Sequence, residues 1–176
     1  MIVRLVGSEM CIRDSLSRCL LANIKSVQLQ KLPPTDWVHE NRKEFPAFRI
    51  GRFWVHGSHI TNPAPAGLFP LCVDAAQAFG SGTHATTKGC LLAIQKASSS
   101  KRHINRILDL GCGSGILSMA AKSLNPSAAV IAADYDKISV ETTRQNWHIN
   151  QYPKTAFFAL HSDGFSHERL RGMQKF

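Results

Sequence analysis

An α/β fold organised around part of a doubly wound parallel sheet is predicted by three features of this 176-residue chain. The apolar run Ile107-Leu-Asp-Leu110 leads into Gly111-Cys-Gly-Ser-Gly115 and then into Ile116-Leu-Ser-Met-Ala-Ala-Lys-Ser-Leu124, which is the order of buried strand, tight turn and helix. Ala128-Ala-Val-Ile-Ala-Ala-Asp134 repeats the pattern of a buried strand and ends in a carboxylate. Asp136 is placed to cap a helix reaching Ile149, after which Thr155 to Leu160 reads as a third strand ending at Ser162-Asp-Gly164.

The elements before the glycine turn are less regular. Met1 to Lys31 shows no clear period, and Pro33-Pro34 punctuates the chain like a linker. Phe48 to His56 alternates around its aromatics and predicts one strand. Asn62 to Gly67 is a turn-rich loop, and Leu71 to Ala78 reads as a further strand approaching the loop Phe79-Gly-Ser-Gly-Thr-His-Ala-Thr-Thr87. That loop feeds a helix over Thr86 to Ala97 with Leu91, Leu92 and Ile94 as its apolar positions, closed by Ser98-Ser-Ser100.

Composition sets the outer bounds. A hydrophobic share of 44% with 19% charged residues describes a folded globular chain with one ordinary core. The formal charge of +9 favours an anionic partner such as RNA or a ribosomal surface, although no basic run is long enough to define a patch. Five cysteines without a CxxC pair point to a reducing cytoplasm. His56 and His59 lack a second ligand pair, so no metal site is expected. No apolar run approaches the ~18 residues a membrane span requires.

The glycine turn has the outline of a nucleotide-cofactor site, and its acids narrow the cofactor. Glycine is needed where backbone adopts positive φ or where a side chain would hold the ligand away. A pyrophosphate is drawn to the positive end of a helix, and Asp109 two residues before the first glycine opposes it. S-adenosylmethionine carries a sulfonium and an ammonium and no phosphate, so an acid beside the turn suits it, whereas NAD is disfavoured. Asp134 lies about 20 residues on, where an acid accepts hydrogen bonds from ribose hydroxyls. Cys112 has no base beside it in sequence and reads as a small packing residue.

Ala78-Phe-Gly-Ser-Gly-Thr-His-Ala-Thr-Thr87 followed by Leu108-Asp-Leu-Gly-Cys-Gly-Ser-Gly-Ile-Leu117 resembles the bacterial ribosomal-protein lysine methyltransferases of the PrmA family, which modify large-subunit protein L11. Asp36-Trp-Val-His-Glu-Asn41 and Arg49 to Ser58 are similar to that family's linker and first strand, so the resemblance runs from Asp36 to Phe176. It implies a Rossmann-like class I S-adenosylmethionine-dependent methyltransferase sheet of which about the first three core strands are present. It assigns Thr87 to the methionine end of the cofactor, Gly111 and Gly113 to the close backbone approach, and Asp134 to the ribose. Asp163 is placed near the adenine edge or on an exposed turn.

The resemblance implies departures too. Val73-Asp-Ala-Ala-Gln77 stands where the family often shows Asp-Pro-Gly. The expected layout is residues 1–35 unassigned, 36–85 linker and leading strands with the cofactor loop, and 86–176 the N-terminal half of the methyltransferase domain. A ferredoxin-like substrate domain is expected to be missing upstream, and Val6 to Ser15 reads as a spurious peptide without family counterpart. An Asn-Ile-Leu strand carrying the asparagine near the transferred methyl is expected beyond Phe176, so no catalytic residue is assigned. The implied activity is methyl transfer to amino groups of a ribosomal protein in the cytoplasm, with contact to the ribosome surface and no membrane partner. The alternatives are an RNA or small-molecule methyltransferase with the same cofactor half, and a fragment that binds no cofactor.

Overall fold

Gly51 divides the first predicted strand in two. In the computed structural model, which describes residues 46–74, 84–99 and 103–171, Phe48–Ile50 (β1) and Phe53–His56 (β2) pair antiparallel with Ile50 opposite Phe53. A two-residue hairpin turn favours glycine at its first central position, and Gly51 supplies φ +55° there. The single strand expected over Phe48 to His56 is thus corrected to a hairpin. The alternation slips by one residue at the turn, from Ile50 to Phe53 and Val55, and that slip at a glycine was the available signal.

Phe69–Cys72 (β3) runs parallel to β2, with Val55 opposite Leu71, and starts two residues before the expected Leu71. Pro70 has no N–H to donate, which suits the outer side of this strand. The strand ends at Cys72, before the described Val73 and Asp74, and the rest of the predicted strand to Ala78, with Phe79 to Thr83 of the following loop, lies outside the described residues.

From Ala85 onward the elements follow the sequence pattern closely. Ala85–Ser98 forms α1, Arg106–Leu110 forms β4, Ile116–Leu124 forms α2, Ala129–Asp134 forms β5, Lys137–Ile149 forms α3, and Phe157–His161 forms β6. A short helix over Glu168–Arg171 (α4) was not anticipated. β4, β5 and β6 form a parallel sheet in that order, with Asp109 opposite Ala132 and Asp134 opposite His161. Each connecting helix packs on the two strands it joins, α2 on β4 and β5 and α3 on β5 and β6.

α2 lies at the centre. Ile116, Met119, Ala120 and Ala121 are buried on it, and it packs against α1, β3, β4 and β5. Its two buried polar side chains are satisfied within the fold, Ser118 by Asp109 and Lys122 by the Ala128 carbonyl, so the helix can be enclosed on several sides. One hydrophobic cluster consequently joins the hairpin residues Ile50, Phe53 and Val55 to Leu71, Leu91, Met119, Val130 and Trp147. Contacts divide the chain into two units, Met1–Thr35 and Asp36–Phe176. All these elements belong to the second, and the sequence reading of residues 1–35 lies outside the described residues.

Candidate functional site

The C-terminal ends of the three parallel strands meet at one edge of the sheet, the edge where open α/β sheets bind ligands. The Ser162 N–H donates to the Asp134 carbonyl at 2.9 Å and the Gly111 N–H to the Ala133 carbonyl at 2.8 Å, which aligns the three ends.

All three glycines of the turn adopt left-handed backbone, with φ of 81° at Gly111, 53° at Gly113 and 78° at Gly115. Their reasons differ. A Cβ at Gly115 would lie 2.8 Å from Thr143 Cγ2, so that position is also closed by packing against α3. A Cβ at Gly111 would meet nothing within 4 Å, so the backbone there faces open space. Gly111 is the point at which a ligand can approach the main chain.

Where the turn spends its donors decides what it can hold. Gly111 and Cys112 both donate to the Ala133 carbonyl, Gly113 donates to Asp134 Oδ2 at 2.8 Å, and Gly115 donates to the Cys112 carbonyl. Asp109 Oδ2 accepts from the Ser118 N–H at 3.0 Å and from the Ser118 hydroxyl at 2.7 Å, which places a carboxylate on the first turn of α2. A phosphate-binding turn keeps these groups for its ligand. Here they are satisfied internally, and the acid already occupies the helix's positive end.

Burial pushes the Asp109 carboxyl above its usual range, opposed by the Ser118 bonds and reinforced by the charge of Asp134. An acid held this way is relieved by a nearby cation. Asp134 accepts from Gly113 through Oδ2 and from the Asp136 N–H at 2.9 Å through Oδ1. A carboxylate has about four acceptor positions, so capacity for ribose hydroxyls is retained.

Gly111, Gly113 and Asp134 are therefore brought together as the sequence suggested. Thr87 is buried in the first turn of α1, a helix that packs on α2. The helix is capped by His84, whose ring nitrogen accepts from the Thr86 N–H. Asp163 is exposed on the turn after β6, where its carbonyl accepts from Ser166. Cys112 is buried and its thiol is pushed up to about 12 by burial, which makes it inert as a nucleophile.

The sequence reading missed the supports. Thr143 Oγ1 donates to the Gly113 carbonyl at 3.0 Å, and Asn146 Nδ2 donates to the Ser114 carbonyl at 2.9 Å while its Oδ1 accepts from Asp74 at 3.0 Å. Asn150 brackets Cys72, accepting from its N–H and donating to its carbonyl. The spacing of 143, 146 and 150 is a helical stripe, and its place between the buried Val140 and Trp147 was the available signal. Tyr135, 72% exposed beside Asp134, was also overlooked.

A family model described as ribosomal protein L11 methyltransferase (PrmA) matches residues 7–171. The chain belongs to this family. The match starts upstream of Asp36, where the sequence resemblance began, and takes in most of the stretch Val6 to Ser15 that had been given no counterpart. A ribosomal protein L11 methyltransferase of Chelativorans sp. (strain BNC1) is 35% identical over 158 residues, covering 89% of this chain and 53% of the relative. Another of that name from Rhizobium meliloti (strain 1021) is 33% identical over 168 residues, covering 92% and 57%. The chain thus spans about half the length of the curated relatives it matches. The crystal structure of a ribosomal protein L11 methylase from Lactobacillus delbrueckii subsp. bulgaricus superposes with a TM-score of 0.56 at 24% identity, over 66% of this chain and 58% of that one. That likeness bears on the fold, which is the α/β methyltransferase sheet expected in part.

Proposed function

We propose that this chain supplies the cofactor-binding half of an S-adenosylmethionine-dependent methyltransferase that modifies amino groups of a large-subunit ribosomal protein. The observation that carries the reading is a glycine turn open to a ligand at Gly111 but with its N–H donors turned inward and two acids, Asp109 and Asp134, beside it. A cationic donor without phosphate fits that arrangement, and family membership and the relatives' names support the reaction class and the ribosomal substrate.

In this reading Gly111 and Gly113 form the backbone cradle, Asp134 holds the ribose, and Thr87 lies toward the methionine end. The exposed ring of Tyr135 offers a flat face to the adenine. S-adenosylmethionine supplies an electrophilic methyl carbon when bound. The chain's contribution is to hold that donor in line with a neutral amine and to keep water out. A lysine ammonium with pKa about 10.4 has to lose its proton before it attacks. Cytoplasmic location and contact with the ribosome surface follow from the same substrate; among the described residues no helix is long and apolar enough to cross a membrane.

The test is transfer of a tritiated methyl group by the intact gene product to ribosomal protein. Label in protein, removed by Asp134→Ala, is expected; label appearing only in RNA would overturn the reading.

A further inference from the structure

Away from the strand ends, α3 and β6 enclose a surface groove of about 660 Å³. Its floor is rigid and aromatic, because Trp147 stacks on Phe157 with ring centroids 3.8 Å apart and planes inclined by 5°. Its rim carries three cations. Arg144 comes from α3, Lys154 precedes β6, and Arg169 on α4 places its guanidinium over the ring of Phe158, 4.4 Å from the centroid, a side chain 41% exposed. The one acid on the lining, Glu141, is paired with Arg144 at 3.3 Å, and Glu168 stands exposed beside Arg169. Arg144 also donates to the Ala159 carbonyl at 2.7 Å, which fixes its position over the sheet edge.

We infer that this groove is a docking surface for single-stranded nucleic acid. Cations along a groove attract a phosphate backbone, and a guanidinium layered over a part-exposed ring gives a base a flat surface to stack on. A carboxylate-rich peptide would use the cations and gain nothing from the flat Arg169–Phe158 pair. The chain's formal charge of +9 acts in the same direction over longer range. The groove shares no residue with the cofactor cradle, so this inference stands or falls separately from the methyltransferase reading.

Fluorescence anisotropy of the full chain with labelled oligouridylate and oligothymidylate, with polyglutamate as competitor, tests it. Saturable binding of either oligonucleotide is expected, with polyglutamate a poor competitor. Phe158→Leu keeps an apolar side chain beneath Arg169 without the ring face, and should weaken binding about fivefold or more. Lys154→Ala and Arg169→Ala should each reduce the slope of log K against log salt by about 0.7. Equal binding by uridylate and thymidylate assigns the site to bases and phosphates, and a preference for uridylate assigns it to RNA; both support it. Competition by polyglutamate as strong as that by oligonucleotide, or indifference to Phe158→Leu, would overturn it and point to an acidic protein partner.

Discussion

Gly111 and Gly115 share a backbone conformation and differ in what surrounds them, and that difference separates folding from binding. Alanine in left-handed backbone costs about 1–2 kcal/mol at either position. At Gly115 the added Cβ also meets Thr143, so Gly115→Ala should lower stability by more than Gly111→Ala, as urea midpoints will show. At Gly111 the methyl enters open space above the turn, and Gly111→Ala should lose cofactor binding while keeping most of its stability. Asp109 carries a pH signature. Its raised pKa means the folded chain binds this proton more tightly than the unfolded chain. Stability therefore falls as pH rises from the unfolded value near 3.8 through the native one. Asp109→Asn keeps an acceptor for Ser118 and removes that contribution, so stability curves of the two proteins should converge in acid and separate with the variant higher toward neutrality. Curves that stay parallel would contradict the buried charge.

At the scale of elements, α3 is the scaffold of the site. Asn146 is wholly buried and satisfies both the Ser114 carbonyl and the Asp74 N–H. Asn146→Leu removes both hydrogen bonds and should cost about 1–3 kcal/mol in chemical denaturation; a loss below about 0.5 kcal/mol would mean that water replaces the amide. This helix also shows what the sequence revealed and what it concealed. Its N-cap was legible because Asp136 has one local task, accepting from Ile138 and Ser139. Its Asn146 was not, because polar residues on a helix usually face solvent and their long-range partners leave no local pattern. β4, α2 and β5 were legible for the converse reason, being mainly apolar segments set around the glycine turn and ending at Asp134. The β1–β2 hairpin was hidden because the apolar residues on either side of Gly51 are close enough to read as one run, although their alternation slips by one residue there. Of the site, the turn and Asp134 were readable from spacing, while the inward direction of the turn's N–H groups required coordinates.

For the whole molecule, the central position of α2 makes the glycine turn part of the main core. The helix that opens from the turn is the one on which the hairpin side and the parallel sheet converge through Met119 and Val130. Ligand bound at the turn should therefore raise the melting temperature of the entire Asp36–Phe176 unit in one cooperative transition, in proportion to the logarithm of ligand concentration. The most direct measurement of the central claim is calorimetric titration of the chain with S-adenosylmethionine and, separately, with NAD. One saturable site for S-adenosylmethionine, lost in Gly111→Ala and absent for NAD, is the predicted result. Binding of NAD in preference, or S-adenosylmethionine binding unchanged by Gly111→Ala, would contradict it.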